Sequence, residues 1–244
     1  MHAQNVSVAI LLLAAASLGL VSPLVGAETP ALEEPALEEV LVTATKRTTS
    51  LQDTPIAVTA LQGDALLAQG LNEPQAIATL VPNMYSESPY GRTGGRFFLR
   101  GVGNTDFNPN AEGAVGVVVD DVFINNLAGQ GFQLFDLNRV EVLRGPQGTL
   151  WGKNTTAGVV AFTSRLPMQE PSGYLDVRAG QDRAWSVEGA AGAGVTDTLS
   201  VRGAFKAFTP PTVGRDRLFN EGRGGGSNVA GRVIAQQLLP RDAA

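Results

Sequence analysis

One apolar run sets the terms on which this chain can meet a membrane. Val8 to Val21 (VAILLLAAASLGLV) has the length of a signal-peptide core and is too short to cross a bilayer. Pro23 follows, then Val25-Gly26-Ala27, small residues of the kind a signal peptidase reads, so residues 1–27 are expected to be a signal peptide cleaved after Ala27. The opposing reading is a buried core helix, because the leading MHAQN carries no Lys or Arg. No other stretch approaches the roughly 20 apolar residues of a membrane helix. A chain addressed in this way is exported, and any membrane contact it makes must be made by β-structure.

Composition removes much enzyme chemistry. The 244 residues include no Cys and one His, His2, which lies inside the expected signal segment. Without those side chains there is no thiolate nucleophile, no ordinary zinc site and no Ser-His-Asp triad, and no disulfide to hold the fold. No cofactor or metal ligand set is expected. The 29 Gly and 14 Pro with only 6% aromatics point to many turns and strands. Net charge is -5, and Glu28, Glu33, Glu34, Glu38 and Glu39 account for all of it. The rest of the chain is electrically balanced and offers no basic stripe for nucleic acid.

Residues 28–50 read as a flexible tether. Pro30-Ala31-Leu32-Glu33-Glu34 repeats as Pro35-Ala36-Leu37-Glu38-Glu39, a solvated, extended pattern in which a Pro every five residues blocks a helix. Residues 38–47 then form a short strand, EEVLVTATKR, with no obvious partner nearby. Such a strand suits the exposed edge of another protein's sheet, and the bland alternative is an edge strand of the domain that follows.

Residues 51–168 read as an α+β domain. Ile56 to Leu61 is a strand; Asp64 is placed to cap a short helix ending at Gly70, and Asn72, with Pro74 in the first turn, to cap a second ending before Pro82. Arg96 to Arg100, Val115 to Asp120, Val122 to Ile124, Arg139 to Leu143 and Val159 to Thr163 are short β-rich runs between Gly-rich and Asn-rich loops. Across residues 169–244 the texture changes to strand-length pieces at Gly173 to Ala179, Arg183 to Ala193, Thr198 to Phe208 and Asn228 to Leu238. Leu199, Val201, Phe205 and Ala207 alternate there with Ser200, Arg202 and Lys206. A transmembrane barrel and a soluble sandwich both have this dyad period, and the strands alone do not separate them.

Asp136 to Gly158 (DLNRVEVLRGPQGTLWGKNTTAG) closely resembles the plug signature of TonB-dependent outer-membrane receptors. Glu39 to Thr45, Leu99 to Asn104 and Val117 to Ile124 support the resemblance in the right order, with Asp120-Asp121 where the family usually has Asp-Gly. The implied fold is an α+β plug domain followed by the beginning of an antiparallel transmembrane β-barrel. That barrel is incomplete, since the family's has about twenty-two strands and the residues after Pro171 supply about four. The implied function is energised uptake of a scarce nutrient, foremost a ferric siderophore-type iron complex, rather than catalysis. Residues 38–47 are then a TonB box, with Glu39, Val40, Leu41, Val42, Thr43, Ala44 and Thr45 meeting a TonB-type inner-membrane energy transducer. The only link between the expected cleavage site and that box is too short for a signalling domain.

By the same resemblance Arg139, Glu141 and Arg144 make ion pairs with the barrel wall. Tyr90, Arg92, Asn104, Asp106 and Asn126, on loops that would face outward, meet the iron chelate or other small nutrient. The implied location is the outer membrane, with its lipid as a partner of a complete barrel, or the periplasm if the chain ends at residue 244. Two other readings stay open: a soluble periplasmic binding module, and an exported fragment without function. A hydrolase built on Asp and Glu is a remote third. Gly148 to Asn154 is one residue short of a phosphate loop, and Gly101-Val102-Gly103 lacks the third glycine of a dinucleotide fingerprint.

Overall fold

Strands whose side chains are apolar on both faces need cover on both faces, and that requirement organises the first half of the chain. The computed structural model describes residues 40–44, 46–88, 95–106, 108, 111–210, 214–215, 222–223 and 227–238. The expected signal peptide, the tandem repeat, Glu39, Thr45, Tyr90 and Arg92 lie outside the described residues.

In chain order the plug elements are β1 (Leu41–Val42), β2 (Thr49–Ser50), β3 (Val58–Gln62), α1 (Gly63–Gln69), a 3-10 turn (Pro74–Thr79), β4 (Met84–Glu87), β5 (Arg96–Leu99), β6 (Val115–Val119) and β7 (Val122–Phe123). After a second 3-10 turn (Leu127–Gln130) come β8 (Leu137–Arg144), α2 (Gly148–Trp151) and β9 (Gly158–Ser164). The main sheet has the order β3-β8-β9-β6-β7, antiparallel except for the parallel β6–β9 pair. One face, bearing Val117, Val140, Val142, Val160 and Phe162, packs under Leu66 of α1, Ile77 of the 3-10 turn, and Met84, Phe97 and Leu99 of β4 and β5. The other face bears Val118, Leu143, Val159 and Ala161 and is covered by Val42 and Ala44, with Leu51 and Trp151 beside them.

α1 lies close on the sheet because Gly63 has no side chain; a Cβ there would fall 1.8 Å from the carbonyl oxygen of Leu137. The helix ends at Gly70 in the left-handed conformation (φ 68°). Asp64 does not cap it as expected. The N-cap is Gln62, whose side chain makes no capping bond, and Asp64 turns outward to pair with Arg165. Likewise Glu73 rather than Asn72 precedes the second turn, which is 3-10 with Pro74 at its start. Asp120 (φ 47°) and Asp121 (φ 65°) close the two-residue β6–β7 hairpin, a pair of left-handed residues as a type I′ turn demands.

The second half is an antiparallel sheet, the wall, built from β10 (Ser172–Ala179), β11 (Trp185–Gly194), β12 (Leu199–Thr209) and β15 (Asn228–Gln237) in the order β10-β11-β12-β15. A two-residue ladder, β13 (Gly214–Arg215) with β14 (Gly222–Arg223), lies in the long β12–β15 connection. Register stacks the side chains in rows. Asp176, Glu188, Lys206 and Ala230 form one row, and Val177, Val187, Ala207 and Val229 form the next, on the opposite face. The polar row faces the plug, whereas Leu175 and Val177 on the other face are 68% and 66% exposed. The four strands leave both edges of the sheet open among the described residues.

Candidate functional site: the docked leader strand and the plug–wall seam

The segment expected to be an unpartnered strand has partners. Chain reversal begins at Thr43, whose carbonyl accepts the Lys46 amide at 2.8 Å, with Lys46 left-handed at φ 60°. β1 then pairs antiparallel with β2, Leu41 opposite Ser50 and Val42 opposite Thr49. Val42 and Ala44 are both 0% exposed, because Val118, Leu143, Val159 and Ala161 would otherwise face water. The hydrophobic effect overrides the expectation of a free strand, and the edge-strand alternative describes Val40 to Ala44 better.

Side chains fasten the same segment. The Thr43 amide, on the edge of β1 away from β2, donates to Glu141 Oε1 at 2.6 Å, and the Thr43 hydroxyl lies 3.2 Å from Glu141 Oε2. Arg139 Nε donates to Glu141 Oε1 at 2.7 Å and Arg139 Nη2 to the Thr43 hydroxyl at 3.0 Å. Trp151 Nε1 donates to the Ala44 carbonyl at 3.1 Å. Lys46 lies 3.8 Å from the centre of a Trp151 ring and pairs with Asp121 at 2.5 Å. A cleft of about 430 Å³, lined by Thr43, Lys46, Asp121, Arg139, Trp151 and Ile234 among others, opens beside it.

Of the residues expected to pair with the wall, Arg139 and Glu141 are engaged within the plug. Arg139 and Glu141 do share a strand face, but they pair with each other and with Thr43 rather than with the described wall strands. Both sit on the sheet face that the leader covers. Arg144 donates its backbone amide to Ala57, and its Nε has no hydrogen-bond partner among the described residues.

The described wall meets the plug chiefly at Leu134, Phe135 and Asp136, which carry no sign of wall contact in the sequence, and Arg178 of β10 adds bonds to the Leu67 (2.5 Å) and Ala68 (3.5 Å) carbonyls at the end of α1. Arg202 grips the Asp136 carboxylate with two bonds, 2.8 Å from Nε and 2.6 Å from Nη2. Glu188 Oε1 accepts the Asp136 amide at 3.0 Å and the Tyr174 hydroxyl at 2.7 Å. Lys206 donates to the Leu134 carbonyl at 2.7 Å and pairs with Glu188 at 2.9 Å. Arg232 Nη2 donates to the carbonyls of Phe135 (3.1 Å) and Asp136 (2.9 Å), and its guanidinium stands 4.8 Å from the Phe135 ring centre. The ring itself packs on Ala190 and Ala204, small inward residues that leave it room. The inward parity of Arg202 and Lys206 was the available signal; their partners, some 70 residues earlier, carried none.

Of the expected nutrient-facing residues, Asn104 and Asp106 are brought together. Asn104 Oδ1 accepts the Asp106 amide at 2.8 Å and Asp106 Oδ1 the Asn108 amide at 2.9 Å, so both side chains shape their own loop. The buried Arg96 holds that loop through the carbonyls of Asn104 (3.1 Å) and Asp106 (2.9 Å) while pairing with Glu87 at 2.9 Å. Asn126 is exposed and its carbonyl accepts the Gly129 amide at 3.0 Å, opening the second 3-10 turn. Elsewhere on the plug Lys153 bonds Glu112 at 2.5 Å and holds that carboxyl below its ordinary 4.5, with Asn154 assisting. Among the described residues no three of His, Cys, Asp and Glu gather as a metal would require.

Comparison with known proteins agrees with this architecture. Residues 50–159 match the model of the TonB-dependent Receptor Plug Domain. The pesticin receptor of Yersinia pestis is 30% identical over 140 residues, which is 56% of this chain and 20% of that protein, and the pesticin receptor of Yersinia enterocolitica is 31% identical over 139. The chain thus spans about a fifth of the length of the curated relatives it matches. Among solved structures, the ferric yersiniabactin uptake receptor of Yersinia pestis superposes with a TM-score of 0.62 at 23% identity, over 74% of this chain and 28% of that one. The ferripyoverdine receptor of the outer membrane of Pseudomonas aeruginosa superposes with a TM-score of 0.56 at 17% identity, over 70% and 22%. Residues 50–159 therefore match the plug domain of TonB-dependent receptors, and over its plug and wall the chain is similar to receptors of that family.

Proposed function

We propose that this chain is the plug and first wall strands of an outer-membrane receptor that takes up a ferric siderophore-type iron complex, with Glu39 to Thr45 as the handle gripped by a TonB-type energy transducer. The observation that carries the reading is how the handle is held. Two residues of β1 pair with β2, backbone bonds join Val40 to Leu51 and Thr43 to Lys46, and the bonds to the rest of the plug come from the side chains of Glu141, Arg139 and Trp151. A strand held in that way can exchange its partners for the edge of another protein's sheet, where each backbone bond contributes about 0.5–1.5 kcal/mol net. The exposed outward rows of the wall fit lipid and are hard to reconcile with a soluble periplasmic module. The relatives named above are receptors, one for yersiniabactin-bound and one for pyoverdine-bound iron, which supports an iron chelate as the cargo.

The test has two arms. Peptide 38–47 is expected to bind the periplasmic domain of a TonB protein in calorimetry, and absence of binding at millimolar concentration rejects the handle. In cells, Val42→Pro removes the Val42 backbone donor and is expected to abolish energised uptake of ⁵⁵Fe-yersiniabactin or ⁵⁵Fe-pyoverdine while surface binding persists. Undiminished uptake in that variant would count against the whole scheme.

A further inference from the structure

The handle and the seam are built with opposite economies. β1 is a two-residue strand paired with the two-residue β2, and β3, which follows them, lies at the edge of its sheet, so all three can leave without dividing the plug. Leu134 to Asp136 immediately precede β8, which lies between β3 and β9. All three residues are buried, and so are the charges that hold them, with Asp136 at 3%, Glu188 at 4%, Arg202 at 5% and Lys206 at 3% exposure. Each of the four wall strands contributes at least one of the polar side chains of this network: Tyr174, Glu188, Arg202 with Lys206, and Arg232. The Leu134 amide is also tied back to the plug through the Asn72 carbonyl at 2.9 Å. Parting wall from plug here would strand several buried charges at once, whereas undocking the leader exposes apolar groups, Val42 and Ala44 with the sheet face beneath them, and one buried carboxylate.

We propose that Leu134–Asp136 is the plug's fixed seat on the wall, which stays closed while the leader is pulled, so that the movable part of the plug ends before it. The proposal rests on the reading of residues 39–45 as a handle, but the closed seat is testable without any transducer. Amide hydrogen exchange is measured on the whole chain in detergent micelles, with and without a TonB periplasmic domain. In the chain alone, the Leu134 and Asp136 amides are expected to exchange at least about 100-fold more slowly than those of Val42 to Ala44. Adding the domain is expected to change exchange at Val42 to Ala44, where one set of backbone bonds replaces another, and leave Leu134 and Asp136 unchanged.

Arg202→Lys, which keeps the charge and loses the two-pronged grip, is expected to speed exchange at Asp136 about tenfold with Val140 and Val142 unaffected. Arg232→Lys, at a more exposed position, provides the same comparison, at several-fold, if Arg202→Lys does not fold. Equal exchange at the two segments, or faster exchange at Asp136 once the domain is bound, overturns the seat. No response anywhere to the domain rejects the handle, and the seat is then decided by the comparison within the chain alone.

Discussion

At the scale of single residues, Glu141 is the most constrained charge in the plug. Its side chain is 0% exposed and its Oε1 takes the Thr43 amide and Arg139 together. Truncation to Ala would leave Arg139 without its carboxylate and the Thr43 amide without an acceptor, and removing one member of a buried pair costs about 3–5 kcal/mol. Glu141→Ala is therefore expected to lower plug stability by that amount in urea titration and to open the chain near Lys46 and Arg47 to trypsin. Arg139→Met with Glu141→Leu, which removes both charges, is expected to recover much of the loss. Glu112 gives a second expectation. Because Lys153 holds its carboxyl below 4.5, the pair contributes above that value and is lost as pH falls through the lowered one, so Lys153→Gln should move the Glu112 carboxyl resonance titration upward. The sequence placed Arg139 and Glu141 on one face of a strand because parity is local. It did not reveal Thr43 as their partner, because that contact spans 96 residues or more.

At the scale of elements, the leader strand is where sequence reasoning and structure part. Val40 to Ala44 look solitary because β1 is short and no complementary strand pattern adjoins it; β2 consists of Thr49 and Ser50, which carry no such signal. What captures the segment is the second face of the main sheet, written into alternate positions of β6, β8 and β9 that lie far along the chain. The periodic strands themselves were legible to within two residues at most ends, since alternation is a property of neighbours. The Trp151 indole tests the docking directly. Trp151→Phe keeps a ring beside Lys46 and removes the donor to the Ala44 carbonyl, a bond worth about 0.5–1.5 kcal/mol. Amide exchange at Val42 to Ala44 is expected to rise about 3- to 10-fold, with β8 and β9 unaffected. An unchanged rate would mean that the indole does not hold the leader.

At the scale of the whole molecule, the two halves solve one problem from opposite sides: a wall with an apolar exterior must present its polar rows to the plug, and the plug must accept them. The dyad pattern of the wall was plain in the sequence, but which face looked inward was not, because a sandwich and a barrel share the period. The seam decides it, since Glu188, Arg202 and Lys206 find their partners on the plug while Leu175, Val177, Val229 and Val233 stay exposed. If the exposed face is the lipid face, tolerance to charge must be one-sided. Val177→Lys and Val229→Lys lie in one outward row, and each is expected to destabilise the wall in phospholipid vesicles by about 2–4 kcal/mol if that row sits near the bilayer midplane, less toward either interface. Ser186→Lys, one position along on the inward face, escapes the lipid term and is expected to cost less. The measurement is urea unfolding of the chain in thin-bilayer vesicles, followed by Trp185 fluorescence. Equal losses on the two faces would remove the argument that this wall stands in a membrane, whatever the plug resembles.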